Sequence, residues 1–101
     1  MKTNYLEEFP DFDYALPDLG EGWIDNSWHN DSCPSLDYSL GDNYGLRIWF
    51  QYSNPEWREC GGEKYILVMG DYGDSDHLME SNDLGEILAY IKSNKLTEAK
   101  Q

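Results

Sequence analysis

Apolar and polar residues alternate along two segments near the middle of the chain, residues 35–40 and 46–53. Such alternation is typical of β-strands that bury one face, because successive side chains of a strand point to opposite sides of the sheet. Residues 41–45 lie between the two segments and have the glycine, aspartate and asparagine content of a hairpin turn. The predicted core face of the second strand carries Leu46, Ile48, Phe50 and Tyr52.

Further strands are predicted in the second half of the chain. Residues 64–69 are mainly β-branched, aromatic and aliphatic, which favours a third strand after a long loop over residues 54–62. An acidic turn over residues 70–76 separates it from residues 77–80, which we interpret as a short fourth strand. Residues 35–80 therefore predict an antiparallel meander of three to four strands.

An amphipathic helix is predicted after the strands, over residues 82–94, with residues 95–101 as a tail. Asp83 and Glu86 have the spacing of a capping box at its start. The apolar residues have the i, i+3, i+4, i+7 spacing of one helix face, and they are Leu84, Ile87, Leu88 and Ile91. We expect Leu88 to be a core residue, so that its replacement by alanine destabilises the fold by about 2–5 kcal/mol.

The first part of the chain, residues 1–34, lacks sustained periodicity and contains three of the four prolines. It predicts an irregular lead-in with a short helical turn near residues 4–9, anchored to the core by Trp23 and Trp28. The expected architecture is a single acidic α+β domain over residues 1–101. It consists of this lead-in and a small antiparallel β-meander, with one C-terminal amphipathic helix packed on one face of the sheet.

Negative charge dominates the composition. Twenty Asp and Glu residues against seven Lys and Arg give a formal net charge of -13 and a pI near 4.2. The hydrophobic content of 40% and aromatic content of 15% exclude a disordered acidic tail, which lacks the apolar surface needed to fold. Direct binding to nucleic acid or to an anionic membrane is also excluded, because both require clustered Lys and Arg. The composition favours a basic protein partner, and the absence of a leader or a membrane span in the sequence favours a soluble, cytoplasmic protein.

Three kinds of chemical site are conceivable, and none has the required spacing. His29, Cys33, Cys60 and His77 are zinc-ligand types without the paired spacing of zinc sites. A nucleophilic Cys33 would need His29 or His77 as its base, and no local motif supports that pairing. The acidic turn departs from the calcium-binding loop pattern. We therefore expect no metal, no cofactor and no catalysis, with both cysteines as thiols in a reducing cytosol.

The acids are concentrated in two parts of the sequence. Residues 1–45 hold ten acids and one Lys, and residues 65–91 hold six acids and no Lys or Arg. Both parts contain aromatic residues, a combination suited to interfaces because carboxylates steer a basic partner and aromatics anchor it. The alternative interpretation is that the acids only solubilise the protein. The predicted partner-binding acids are Asp11, Asp13, Asp18 and Glu21 in the first part and Asp71, Asp74, Asp76 and Glu80 in the second. The aromatic residues interleaved with the acids are Tyr5, Phe9, Phe12, Tyr14, Trp23, Trp28 and Tyr72.

Segments such as EEFPDFDYALPDLGEGWID and GDYGDSDHLMESND, together with the small size and acidity, resemble in composition the phage-encoded inhibitors that mimic DNA, anti-CRISPR proteins among them. The resemblance implies an inhibitor that occupies the DNA-binding surface of an effector such as a CRISPR complex and blocks recognition of DNA or of the protospacer-adjacent motif. A bacterial immunity protein that neutralises a cognate nuclease toxin would need the same surface and is the first alternative. A small enzyme that uses Cys33 and a histidine is the second.

Overall fold

Five antiparallel strands, each paired with the next along the chain, form one sheet in the computed structural model of this protein. The strands are β1 (Trp23–Asp25), β2 (Ser35–Gly41), β3 (Tyr44–Phe50), β4 (Tyr65–Asp71) and β5 (Asp74–Ser81). The helical elements are α1 (Tyr5–Glu8), a 3-10 turn (Pro55–Trp57) and α2 (Leu84–Ser93). The structure describes residues 5–27, 33–41, 44–58, 62–71 and 74–96. The predicted α+β class is confirmed, with five strands in place of the expected three to four.

β1 is the strand that the sequence pattern did not predict. It is three residues long and lies within the segment expected to be irregular. Trp23 pairs with Tyr38 of β2, and Asp25 pairs with Leu36. A strand of this length is too short to show an apolar alternation, so its conformation depends on pairing with β2 more than on its own residues.

β5 is longer than expected, because most of the predicted acidic turn belongs to strands. Gly70 and Asp71 end β4 and pair with Ser75 and Asp74 at the start of β5. Gly and Asp are depleted in strands, which is why their presence in the sequence favoured a turn. Pairing with the regular strand β4 overrides that preference here.

β5 also contains a bulge. The register shifts between Leu67 and Val68 of β4, which pair with Met79 and His77, so that Leu78 is an extra residue. An extra residue reverses the alternation of side chains along the strand. Consequently, residues of β5 separated by an even number of positions lie on opposite faces of the sheet when the bulge is between them.

The core lies on one face of the sheet, under α2 and the lead-in. Leu46, Ile48 and Phe50 of β3 and Leu67 of β4 are each 0% exposed, which confirms the predicted core face for these three residues of β3. Tyr52, the fourth predicted member, lies beyond the end of β3 and is partly buried against the core. Further apolar residues of the same cluster come from the lead-in, and these include Phe9 and Phe12. The lead-in is therefore an integral wall of the core, and not only an anchored extension.

α2 begins after Asp83, whose carboxylate accepts a hydrogen bond from the backbone N–H of Gly85 at 2.9 Å. Glu86 does not complete the expected capping box. Its carboxylate accepts a hydrogen bond from Oγ of Ser81 at 2.7 Å, and Ser81 Oγ in turn accepts the N–H of Asp83. In the described part of the chain, no helix is long and apolar enough to cross a membrane.

The apolar stripe of α2 is narrower than expected. Ile87 and Ile91 are 0% and 5% exposed, whereas Leu88 is 37% exposed. The expectation that Leu88 is a core residue is therefore wrong. The physical reason is that α2 packs on β4 and β5 at one side of the sheet, and a helix at the border of a core buries a narrower stripe than one at its centre.

Candidate functional site

Three of the predicted partner-binding acids lie together at one end of the sheet. Asp71, at the end of β4, pairs with Asp74, at the start of β5, and Asp76 pairs with Met69. Tyr44, at the start of β3, pairs with Asp71 from the other side. Asp71 and Asp76 are exposed, and Tyr44 is 40% exposed. We call Tyr44, Asp71, Asp74 and Asp76 the hairpin end.

Glu80 does not belong to the hairpin end. At the rise of about 3.4 Å per residue of an antiparallel strand, its Cα lies roughly 20 Å from that of Asp74. It pairs with Ile66, on the face opposite to the core, while Asp76 pairs with Met69 on the core face. Its carboxylate accepts a hydrogen bond from the backbone N–H of Glu63 at 3.0 Å. Glu80 therefore helps to hold the loop before β4.

The acids predicted in the lead-in have unequal roles. Asp13 accepts hydrogen bonds from the backbone N–H groups of Ser53 and Asn54 at 3.0 and 3.2 Å. Asp18 accepts a hydrogen bond from the N–H of a glycine two residues later, which closes a local turn. Asp11 and Glu21 are exposed. Within the described chain, Asp13 and Asp18 thus have structural roles, whereas Asp11 and Glu21 are exposed acids for which no such role is evident.

The fold keeps the two predicted groups of acids apart. Asp18 and Glu21 precede β1 at one edge of the sheet, whereas Asp71 ends β4 and Asp74 and Asp76 are in β5 at the other edge. At about 4.8 Å per strand spacing, β4 and β5 lie roughly 14 and 19 Å from β1. Asp13 is bonded to residues that follow β3, whereas the hairpin end includes the residue that begins β3. The acids therefore form separate patches and not one continuous surface.

The aromatic residues of the lead-in are mostly core residues. Phe9 and Phe12 are buried, and Tyr5, Tyr14 and Trp23 are partly buried against the same core cluster. The idea that they all anchor a partner is therefore wrong for Phe9 and Phe12, because a large apolar ring is more stable in the core than at the surface. Two others from that set, Trp28 and Tyr72, lie outside the described residues.

Tyr44, like Trp57 in the 3-10 turn, is an exposed aromatic residue that the sequence reasoning missed. It was assigned to the turn between the first two strands, where its neighbours could not be known. The alternation of β3 could have indicated it, because counting back by two from Leu46 places Tyr44 in the same strand. The pairing of β3 with β4 then sets Tyr44 opposite Asp71. An exposed aromatic residue next to an exposed acid is a composition suited to a protein interface.

Several of the basic residues are held by contacts within the protein. Arg47 forms a two-pronged ion pair with Asp37, with Nε–Oδ1 and Nη2–Oδ2 distances of 2.6 and 2.8 Å. Arg58 donates to three backbone carbonyls, those of Tyr52, Ser53 and Gly62. A third base, Lys64, lies over the ring of Tyr14, with Nζ 4.1 Å from the ring centroid. These contacts hold the three cations against other groups of the protein and stabilise the fold.

Two tyrosines next to the lead-in acids have perturbed acidity. Burial raises the pKa of Tyr14 well above its usual value, and the nearby Tyr65 raises it further, with smaller contributions that include Asp13. The hydroxyl of Tyr14 donates a hydrogen bond to the carbonyl of Gln51 at 2.6 Å. Burial also raises the pKa of Tyr52. Both phenols thus stay protonated at neutral pH and are structural groups.

The histidines and cysteines do not assemble into a site within the described chain. Cys33 is 3% exposed and immediately precedes Pro34 and β2, while His77 is in β5, with β3 and β4 in between. His77 instead lies 3.5 Å from Glu80. His29 and Cys60 lie outside the described residues. Over the residues that are described, no group of three His, Cys, Asp or Glu side chains is arranged to hold a metal ion.

Comparison with known family models, with curated proteins and with solved structures gives no match for this chain.

Proposed function

We propose that this chain is a cytoplasmic inhibitor, a binding protein and not an enzyme, whose acidic surface occupies the nucleic-acid-binding surface of a basic partner protein and blocks DNA recognition. The partner class is an effector such as a CRISPR complex, in line with the resemblance of the sequence to phage-encoded DNA mimics. No cofactor or metal takes part in this function.

The observation that supports the proposal best is the charge asymmetry of one continuous part of the fold. Residues 65–91 form β4, β5 and most of α2, and they contain six acids and no Lys or Arg. The hairpin end of this region presents exposed acids around Tyr44. Acids in a protein of such high net negative charge repel one another, and a basic partner relieves that repulsion on binding.

The physical mechanism is competition for the same cations. A DNA-binding surface carries Lys and Arg that neutralise phosphates, and carboxylates held on a rigid sheet can pair with the same side chains. Attraction between opposite net charges also accelerates the encounter, by about 10- to 1000-fold at low ionic strength. A protein with a net charge of -13 is suited to this kind of association.

The first experiment is an affinity pull-down with the tagged protein from the lysate of its native host, at about 50 mM and 500 mM salt, followed by mass spectrometry. We expect a basic DNA-binding protein to be retained at low salt and largely lost at high salt.

The purified partner is then tested for binding to its labelled DNA duplex with and without this protein. This protein is expected to compete with the duplex. A retained nuclease toxin instead of a DNA-binding effector would favour the immunity-protein alternative. Recovery of no basic protein at either salt would contradict the proposal.

A pair of variants then locates the surface. Asp71→Lys/Asp76→Lys reverses two exposed charges at the hairpin end. Glu7→Lys/Glu56→Lys changes the net charge by the same amount at exposed positions outside the predicted set, in α1 and the 3-10 turn. We expect the first variant to weaken partner binding at least about tenfold more than the second, because charge pairs at an interface depend on position as well as on net charge. Equal losses in both would show that only the total charge matters, and would contradict a defined contact at the hairpin end.

A further inference from the structure

A cleft of about 300 Å³ lies between the lead-in and β1, and the described residues that line it include none of the hairpin end. Its volume is at the lower end of the range of about 300–1,000 Å³ that is usual for ligand sites. Its walls combine aromatic, aliphatic and acidic side chains, and they include Tyr5, Leu16, Asp18, Leu19, Trp23 and Asp25. No Lys or Arg among the described residues lines it.

The fold holds both sides of this cleft in place. The backbone N–H of Tyr5 donates a hydrogen bond to Oδ2 of Asp25 at 2.8 Å, which ties α1 to β1. On β1, the ring of Trp23 packs against Tyr38 with centroids 5.3 Å apart. The chain reaches β1 through Gly22, which has a φ of 95° and whose added Cβ would lie 2.5 Å from a ring carbon of Tyr38. The cleft is therefore built by specific contacts.

The acidic side of the cleft consists of Asp18 and Asp25. Oδ1 of Asp18 accepts the N–H of Gly20 at 2.9 Å, which fixes the carboxylate group. Within the described chain, the hydrogen bonds of Asp18 leave its Oδ2 atom for a ligand. Asp25 accepts bonds from Tyr5 and from the N–H and Oγ of Ser27, so its role is to hold the wall and to add negative charge.

This set of walls matches one side chain better than others. A guanidinium group is planar, stacks on aromatic rings and donates two parallel hydrogen bonds to a carboxylate. The methylene stem of arginine packs on apolar residues while its head remains polar, and Leu16 and Leu19 supply that apolar surface. Lysine lacks the planar face and the fork of donors.

We infer that the cleft between the lead-in and β1 binds an arginine side chain of the basic partner. This inference rests on the proposed function for the identity of the partner, but the chemistry of the cleft is testable without it. It also gives the lead-in acid Asp18 a contact role that is separate from the hairpin end.

The test titrates the full-length ¹⁵N-labelled protein with N-acetyl-argininamide, followed by the backbone signal of Gly20 and the indole signal of Trp23. N-acetyl-citrullinamide, which has the same shape and no charge, and N-acetyl-lysinamide are the comparison ligands. We expect saturable shifts with the arginine compound at millimolar concentration, and binding at least about fivefold weaker for the other two, because an isolated side chain keeps only a small part of an interface's affinity.

Asp18→Asn is the matching variant, because the amide oxygen can still accept the N–H of Gly20 while the charge is lost. We expect it to weaken binding of the arginine compound at least about fivefold, since a charged hydrogen bond is replaced by a neutral one. Glu7→Gln removes the same charge from an exposed position that does not line the cleft, and is expected to change the affinity less than about twofold.

Each outcome decides the inference. Equal shifts with the arginine and citrulline compounds, or equal losses in Asp18→Asn and Glu7→Gln, would overturn it, and equal binding of the lysine compound would overturn the choice of arginine. If the cleft does not bind arginine but the hairpin-end variant still loses the partner, the proposed function stands without this site. If the cleft binds arginine and no basic protein is retained from lysate, the proposed function fails and the site remains.

Discussion

Oδ1 of Asp13 lies 3.0 Å from the backbone nitrogen of Ser53, forty positions further along the chain, and accepts its hydrogen bond. The other carboxylate oxygen accepts the N–H of Asn54. One side chain of the lead-in thus satisfies two backbone donors that lie three and four residues beyond the end of β3. This acid closes the lead-in over the core, so its charge has a structural role that does not depend on any partner.

We predict that Asp13→Ala lowers the free energy of unfolding by about 1–2 kcal/mol, because two charge-assisted hydrogen bonds at a solvent-exposed site are lost. Asp11→Ala, an exposed acid two positions away, is the matched control and should change it by less than about 0.5 kcal/mol. Urea unfolding measured on both variants provides the comparison. Equal stabilities would mean that the bonds of Asp13 to the loop contribute nothing measurable.

A second prediction concerns the helix. Ile87→Ala should destabilise by about 2–5 kcal/mol, because its fully buried side chain leaves a cavity against β4 and β5. Leu88→Ala should cost less than about 1 kcal/mol, because Leu88 is 37% exposed and little apolar area leaves the core. Thermal and urea unfolding of the two variants check the order. A larger loss in Leu88→Ala would show that the helix is rotated from the position described.

These residues show how far the sequence pattern specifies the fold. The alternation of β3 identified its buried face because one side of the strand is apolar throughout, and each buried residue is visible in the pattern. In α2, Ile87 and Leu88 lie three and four residues after Leu84 and belong to the same predicted apolar stripe, and only the position of the helix at the side of the sheet determines which of them is buried. β1 has no pattern of its own, because its conformation depends on β2.

The candidate site was less predictable for a related reason. Nearness in sequence placed Asp76 and Glu80 in one group, but the bulge in β5 puts them on opposite faces of the sheet. Conversely, Tyr44 and Asp71 are far apart in sequence and adjacent in the sheet. Charge and composition are readable residue by residue, whereas a surface depends on strand register, which tertiary pairing determines.

A third prediction concerns the ion pair between β2 and β3. Arg47→Met removes the cation beside Asp37, which is 6% exposed and otherwise accepts a bond from Asn26. We expect a loss of about 3 kcal/mol in the free energy of unfolding, because a largely buried carboxylate loses its counterion. The double variant Arg47→Met/Asp37→Asn should be more stable than Arg47→Met alone, since the uncompensated charge is gone. Chemical denaturation of all three proteins tests this order, and a double variant that is less stable than the single one would contradict it.

The last prediction is a loss of stability at alkaline pH that originates at Tyr14. Burial raises the pKa of Tyr14 in the folded protein above its ordinary value of 10.0, so the unfolded chain loses this proton at a lower pH than the folded one. The stabilisation is therefore fully present below about pH 10 and is lost as the pH rises above it, because the unfolded state releases protons that the folded state retains.

The variant Tyr14→Phe tests this prediction, because phenylalanine cannot ionise. It should be less stable than the wild type near neutral pH, because it loses the 2.6 Å hydrogen bond to Gln51, yet its stability should fall less steeply with pH. Urea unfolding at about pH 8, 10 and 11 measures both slopes, and the remaining slope of the variant includes Tyr52, whose pKa is also raised. Identical slopes in the two proteins would mean that Tyr14 ionises as easily in the folded protein as in the unfolded chain.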